Sequence, residues 1–308
     1  MESMRRLALP RIAALAATTT LLAAVVAFAA PTASAAPACP DSRSPVVVGR
    51  VPGAVLEGAA VDGAGRMYVT DLVSGRVFRL DRPGAPAVPV ATVPSGGAGG
   101  LAWARDGSLL VGYGADARVF TGDATRSAGI VAVDVNTGAV RPFASGLSAA
   151  NGLAVARDGT VYATNDFGSL VGRVLPNGVV QPDWAVLPSA NGAALTADDR
   201  YLYVSRTFTD PGVSRIPTSN PGAPESVVTF TGGDVFAAPD GLVLDPQGRP
   251  VVPTDVSGQI LRVDGPDRFC VLASGLPMSS VLTYGNGDTG FSAGRLFRAG
   301  FDGVIHEV

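Results

Sequence analysis

An all-β chain built from six copies of one four-stranded unit is what this sequence predicts, and three observations predict it. The first is a hairpin pattern, clearest at 151–164. There an apolar strand (153–156), an Asp158-Gly159 turn and a strand of β-branched and aromatic residues (160–164) follow one another. The second is recurrence, since variants of the hairpin begin at Gly58, Gly100, Gly192, Gly241 and, in degenerate form, Val281. From Gly58 through Gly100, Gly152, Gly192 and Gly241 to Val281 the steps are 42, 52, 40, 49 and 40 residues, each the length of a four-stranded blade. The third is composition: after the N-terminal segment the chain is rich in Gly, Pro, Val and Ala, without long helical periodicity or a break that marks a linker. Together these predict a six-bladed β-propeller.

Residues 1–35 carry Arg5, Arg6 and Arg11, then an apolar run from Ile12 to Ala30, then the small residues Ala33-Ser34-Ala35. That order fits a signal peptide removed on export, leaving 36–308 as the propeller and the protein secreted. An apolar run of about twenty residues also has the length of a membrane span. Because it leads straight into a cleavage-type site, no membrane attachment is expected after processing. Cleavage removes Glu2 and three arginines, which moves the formal net charge from −3 to −5. Every cationic residue is arginine, scattered one or two per repeat with no basic patch, so a nucleic-acid partner is not expected. A small-molecule substrate and a monomer are expected instead.

Within each repeat the hairpin is followed by a third strand (76–80, 130–135, 171–175, 213–216, 259–263) and a fourth (88–93, 140–144, up to 187, 226–229, 269–273). The sixth repeat ends one strand short at Val308, and 46–51 can supply the missing strand, closing the ring through the N-terminus and leaving no open edge. Cys39 precedes that closing strand and Cys270 lies on the outer strand of blade five beside the seam. In an exported protein with two cysteines these are expected to pair.

First strands line the channel of a propeller, so the residue before each repeat start should stand in a ring at one mouth. That column reads Glu57, Gly99, Asn151, Asn191, Asp240 and Ser280. Singly, Asn-Gly and Asp-Gly are ordinary turn pairs. In register, Glu57, Asn151, Asn191 and Asp240 offer two carboxylates and two amide oxygens, without sulfur or imidazole. Such a set suits a hard divalent cation on the axis, and the channel has room for the six to eight ligands calcium takes, whereas magnesium demands a tighter octahedron.

These residues resemble the senescence-marker-protein (regucalcin), gluconolactonase and luciferin-regenerating-enzyme-like family, with paraoxonase and diisopropyl-fluorophosphatase as more distant relatives. Glu57-Gly58, Asn151-Gly152-Leu153 and Pro239-Asp240-Gly241 look like its Glu-Gly, Asn-Gly-Leu and Pro-Asp-Gly metal motifs. Asn191-Gly192 matches a second asparagine ligand of the phosphotriesterase-type relatives. The resemblance spans the mature chain and implies a six-bladed propeller with calcium, sometimes zinc or another divalent ion, on the axis. It also implies hydrolysis of lactones or organophosphates. Gly58-Ala59-Ala60 lacks the Pro and Trp that often follow the family's Glu-Gly, and 95–99 is Ser-Gly-Gly-Ala-Gly where sugar-lactone enzymes carry polar contacts, so a substrate other than gluconolactone is expected.

Other chemistry lacks the residues it needs. His306 is the only histidine and no Gly-x-Ser-x-Gly elbow occurs, which removes a Ser-His-Asp triad. Gly285 to Gly290 matches a dinucleotide pattern with no helix after it and reads as a hairpin loop. Asp166-Phe167-Gly168 and the segment 134–138 read as turns. Loops after the second strands (71–75, 112–129, 165–168, 206–212, 255–258) should overhang the ring. The longest carries Tyr113, Asp116, Arg118, Phe120 and Arg126, as a lid or specificity element would. Asp71, Asn165, Asp166 and Asp255 are read as recurring at one offset, and support of the ligands and capping of strand ends both remain open as their role. Two functions remain: a secreted calcium-dependent hydrolase with Asp240 as general base or nucleophile, or a non-catalytic propeller that binds a ligand and keeps calcium for structure. The first is preferred, because structural calcium has no need of an axial, solvent-facing position.

Overall fold

Short apolar strands broken by Asp-Gly and related turns can pair only locally, and each turn brings its own cap. In the hairpin of blade three, Asp158 Oδ1 accepts from the Thr160 N–H at 2.8 Å while Gly159 sits at φ +91°, a conformation that favours glycine. The computed structural model describes residues 36–308, so the expected signal peptide lies outside the described residues.

The strands form six four-stranded antiparallel sheets. Blade one comprises Leu56–Val61, Met67–Asp71, Arg76–Leu80 and Val88–Thr92, ordered outward as in sequence. Blades two to five repeat that order from the first strands Leu101–Trp103, Leu153–Val155, Ala190–Leu195 and Val243–Leu244. Blade six takes Ser279–Tyr284, Leu296–Gly300 and Val304–Glu307 and is completed by Val46–Arg50, with Val46 opposite Glu307 and Arg50 opposite Val304. This is the expected six-bladed β-propeller with its expected closure. Strand ends shift slightly: the third strand of blade two is Ala128–Val133, and the fourth of blade three is the long Val180–Val186.

Burial is concentrated in six clusters, one at each junction between neighbouring blades. Tyr68 of blade one meets Trp103 of blade two edge-on, with ring centroids 5.4 Å apart. Leu110 and Ile130 meet Leu153 and Val161 at the next junction, and Val48 and Ile305 meet Leu56 and Leu80 at the seam. Each such side chain contributes about 1.5–3 kcal/mol when fully buried, so the ring is stabilised by its joints more than by any one sheet.

Near the axis the blades come too close for side chains at the repeat glycines. A Cβ on Gly58 would strike the carbonyl of Gly99, and one on Gly100 or Gly152 that of Asn151 or Asn191. One on Gly192 would strike the backbone at Gly241, and one on Gly241 the Ser280 carbonyl.

Two features depart from an all-strand reading. The 112–129 loop is folded, with a 3-10 turn at Ala117–Thr121 and one α-turn at Gly122–Thr125, and a second 3-10 turn occupies Gly232–Phe236. Pieces this short show no helical period in sequence. Among the described residues no helix is long and apolar enough to cross a membrane.

Cys39 and Cys270 form the expected disulfide, with Cα atoms 5.0 Å apart and 231 residues between them in sequence. A loop of that length corresponds to an upper-bound stabilisation on the order of 5 kcal/mol. Replacing both cysteines by serine should lower the melting temperature by about 5–15 °C in a thermal scan; an unchanged value would remove the staple from the account of stability. Gly152→Ala should destabilise by about 1–3 kcal/mol through overpacking against Asn191. Gly63→Ala serves as its control in denaturant titration and should cost little, since a Cβ there meets nothing within 4 Å and Gly63 does not adopt a positive φ.

Candidate functional site

The close joints at the axis bring the residues before the repeat glycines to one place. Glu57, Asn151, Asn191, Asp240 and Ser280 line a single axial cavity of about 500 Å³. Its wall continues past Ala60, Leu101, Ala193 and Leu242 to Trp103 and Tyr284 at the far end of the channel. The four expected ligands are buried, between 3% and 8% exposed. Gly99 offers no side chain, and the Ser280 hydroxyl is spent on the Leu56 carbonyl at 2.5 Å, so blades two and six add no side-chain ligand.

Each asparagine is fixed by its amide nitrogen. Asn151 Nδ2 donates to Asp166 Oδ1 at 3.0 Å and Asn191 Nδ2 donates to Thr207 Oγ1 at 3.0 Å. Thr207 in turn donates to the Pro239 carbonyl at 2.6 Å, tying the Asn191 side chain to the segment that carries Asp240. The Asn191 Oδ1 and Glu57 Oε2 atoms are left buried without a hydrogen-bond partner, as is Asp255 Oδ1. An orphaned buried oxygen is costly, and several turned toward one axis need a shared positive partner.

The electrostatics carry the same demand. Burial, then the Asp166 and Asp255 charges, push the Glu57 carboxyl well above the usual range. Burial, then Asp255 and Glu57, do the same to Asp240. Burial raises Asp166 as well, and lifts Asp255, which lies within hydrogen-bonding reach of Asp240, to about 7. Among the described residues no three acidic, imidazole or thiol groups gather closely enough to hold a metal by themselves. A cation held here needs the two asparagine oxygens, and this donor set, all oxygen and partly unpaired, fits a hard divalent ion.

Four residues left open by the sequence now separate. Asp71 is a cap, accepting from the Val55 N–H at 3.0 Å and the Val73 N–H at 3.2 Å. Asn165 is a tie, donating to the Val119 carbonyl at 3.0 Å and to Ser148 Oγ at 2.8 Å. Asp166 and Asp255 belong to the site. Counted from the repeat glycines they stand one position after Asp71 and Asn165, so the four do not share one offset. Arg206, counted with an overhanging loop, instead ends a strand and donates to the Val228 carbonyl and Thr229 Oγ1. Asp134 caps its turn through the Asn136 N–H at 2.9 Å, and half-buried His306 lies on the closing sheet, away from the cavity.

Sequence reading missed the hydroxyls. Thr70 Oγ1 donates to the Gly99 carbonyl at 2.8 Å, Thr164 Oγ1 to that of Asn191, and Ser205 Oγ to that of Asp240. Each reaches from the second strand of one blade to the mouth residue of the next. The signal was present as Thr70-Asp71, Thr164-Asn165-Asp166 and Ser205-Arg206-Thr207, a hydroxyl at the end of each second strand.

No protein-family model matches the chain, and no curated protein sequence matches it. Solved structures do match. A gluconolactonase from Xanthomonas campestris superposes with a TM-score of 0.68 at 20% identity, covering 89% of this chain and 96% of that one. Regucalcin from Agrobacterium tumefaciens, a calcium-binding protein, gives 0.66 at 17% identity, over 85% of this chain and 92% of its own. A luciferin-regenerating enzyme gives 0.63 at 14% identity, over 86% of this chain and 95% of that one. At such identities the likeness is one of architecture: this chain is a six-bladed β-propeller of the shape shared by a gluconolactonase, a regucalcin and a luciferin-regenerating enzyme.

Proposed function

We propose that the protein is a secreted, monomeric, calcium-dependent hydrolase of lactones, esters or phosphotriesters. Glu57, Asn151, Asn191 and Asp240 hold the ion, and Asp240 acts as general base or nucleophile. The observation that carries this reading is the set of buried, partly unpartnered oxygens converging in the axial cavity from four blades. The structural likeness to a gluconolactonase and to a calcium-binding regucalcin supports it. Export is supported by the Cys39–Cys270 bridge, since such staples persist in oxidising compartments.

An ion held by Glu57, Asn151, Asn191 and Asp240 would supply the positive charge that polarises a carbonyl or phosphoryl oxygen. The chain supplies the rest. Asp166 and Thr207 aim the Asn151 and Asn191 oxygens by holding their nitrogens. In the general-base route for a lactone, Asp240 takes a proton from water as the water oxygen bonds to the carbonyl carbon. The ring C–O bond then breaks and the departing oxygen takes the proton, giving the hydroxy acid. Asp255, within hydrogen-bonding reach of Asp240 and raised by burial, keeps a second proton-accepting group within reach.

Calcium should raise the melting temperature, by about 2.7 kcal/mol of stability when its concentration is a hundred times Kd. The rise should grow between pH 4 and pH 7. Asp255, Glu57 and Asp240 all titrate above the carboxylate range when folded without the ion. Each such raised pKa gives stability that is lost as pH climbs from the unfolded to the folded value, while calcium binds the deprotonated form. A chelator that leaves the melting temperature unchanged at every pH, with no metal found by elemental analysis, would show the ligand set to be wrong.

Two substitutions separate ligand from catalyst. Glu57→Gln keeps an oxygen donor and removes a charge, so calcium affinity should fall and excess calcium should restore part of the activity. Asp240→Asn at full metal occupancy should stay lower by about 10² to 10⁴ in turnover, the usual contribution of a general base. A screen of lactones, aryl esters and phosphotriesters with and without chelator reads both. Wild-type turnover in Asp240→Asn would make Asp240 a ligand only, and no turnover by the wild type would favour the non-catalytic binding module.

A further inference from the structure

The loops on the mouth side of the site share a feature that metal binding does not use. In blades three, four and five the residue that steadies an expected ligand is followed at once by a large exposed apolar one. Phe167 follows Asp166, Phe208 follows Thr207 and Val256 follows Asp255, and they are 45%, 53% and 68% exposed. Phe120, from the folded loop of blade two, is 66% exposed and packs on Phe167 with centroids 4.5 Å apart; Phe167 packs on Phe208 at 4.6 Å. Phe236 and Met278 extend the set toward blades five and six, where the Met278 N–H donates to the Asp255 carbonyl at 2.7 Å and the Val256 N–H to Ala237 at 3.1 Å.

Several polar side chains of these loops are already engaged. Asp123 accepts from Ser148 Oγ at 2.5 Å and the Ser169 N–H at 2.7 Å, and Asp116 is paired with Arg118 at 2.7 Å. With Asp71 and Asn165 also committed to the backbone, few hydrogen-bonding groups remain to recognise a polyol. An exposed apolar patch set beside a site marks a binding surface.

We infer that this crown of rings binds an apolar alkyl or aryl substituent of the substrate, so the site prefers hydrophobic lactones and esters over sugar lactones. The inference rests on the hydrolase reading above for its substrate class. What ties the crown to the site is its register: each of Phe167, Phe208 and Val256 is one residue from a group that touches an expected ligand. A lipid surface fits less well, because the chain carries a formal charge of −3 and the crown's Arg118 is already paired, leaving little attraction for an anionic bilayer.

The test uses the calcium-loaded mature protein and the series δ-valerolactone, δ-octalactone and δ-decalactone. kcat/KM should rise along it by about 10- to 200-fold, the range hydrophobic pockets achieve. The ratio of the longest to the unsubstituted lactone should collapse toward one in Phe167→Ser/Phe208→Ser and survive largely in Phe167→Leu/Phe208→Leu, with thermal scans reporting folding. Calorimetric titration with the matching non-hydrolysed lactams supplies a readout independent of catalysis. Chain-length-dependent binding that the serine variant loses supports the crown even if no lactone turns over, in which case only the hydrolase reading fails. A flat series in both rate and binding overturns the inference. So does a flat series accompanied by co-sedimentation with phosphatidylcholine vesicles that the serine variant loses, since the crown would then serve a lipid surface.

Discussion

Contact between the first strands of neighbouring blades around the axis is the constraint on which the rest of this structure depends. Glycine at five of the six repeat starts lets one backbone rest on the next, and a hydroxyl from the adjoining strand holds the facing carbonyl, as Thr70 does for Gly99. The residues so fixed are the ones at the mouth. Asn191 and Asp240 therefore have their backbones set by a neighbouring blade, through Thr164 and Ser205, before their side chains engage anything. Pre-organisation of this kind needs rigid elements, and the hydrophobic joints between blades provide them.

Packing that tight has an electrostatic consequence. Glu57, Asp166, Asp240 and Asp255 are brought into one low-polarity region where burial raises the proton affinity of all four, and the charges of Asp255, Glu57 and Asp166 raise that of Asp240 further. Buried Arg298 lies near enough to draw Asp255 downward, yet its hydrogen bonds run to Ser279, Asp302 and the Pro277 and Val304 carbonyls. It thus serves the blade-six joint and leaves the axial oxygens without a cationic hydrogen-bond partner. Such an arrangement costs stability unless something positive occupies it, and the proposed ion site rests on that cost.

The same second-strand ends do two jobs. Their first residues cap or latch, and the next ones steady the axial side chains and then present Phe167, Phe208 and Val256 outward. Moving the chain by a single residue would exchange these roles, because side chains alternate direction along a strand. Variation in the loops can therefore alter what the mouth accepts without disturbing what lies beneath it.

By itself the sequence determined the number of blades, the closing strand, the cysteine pair and the column Glu57, Asn151, Asn191 and Asp240, because each is written as a local period or a position within it. Propeller blades repeat their turn chemistry, and turn chemistry is visible one residue at a time. Only the tertiary structure decided which polar groups touch. Asp71 and Asp166 look alike in sequence, yet one caps a strand and the other holds Asn151, a difference set by strand register. The stacking of Phe120, Phe167 and Phe208 joins three blades, and the short helical turns that deliver Phe120 are too brief to show a period. Contacts between residues distant in the chain depend on how blades face each other across the ring, and no spacing along one strand encodes that.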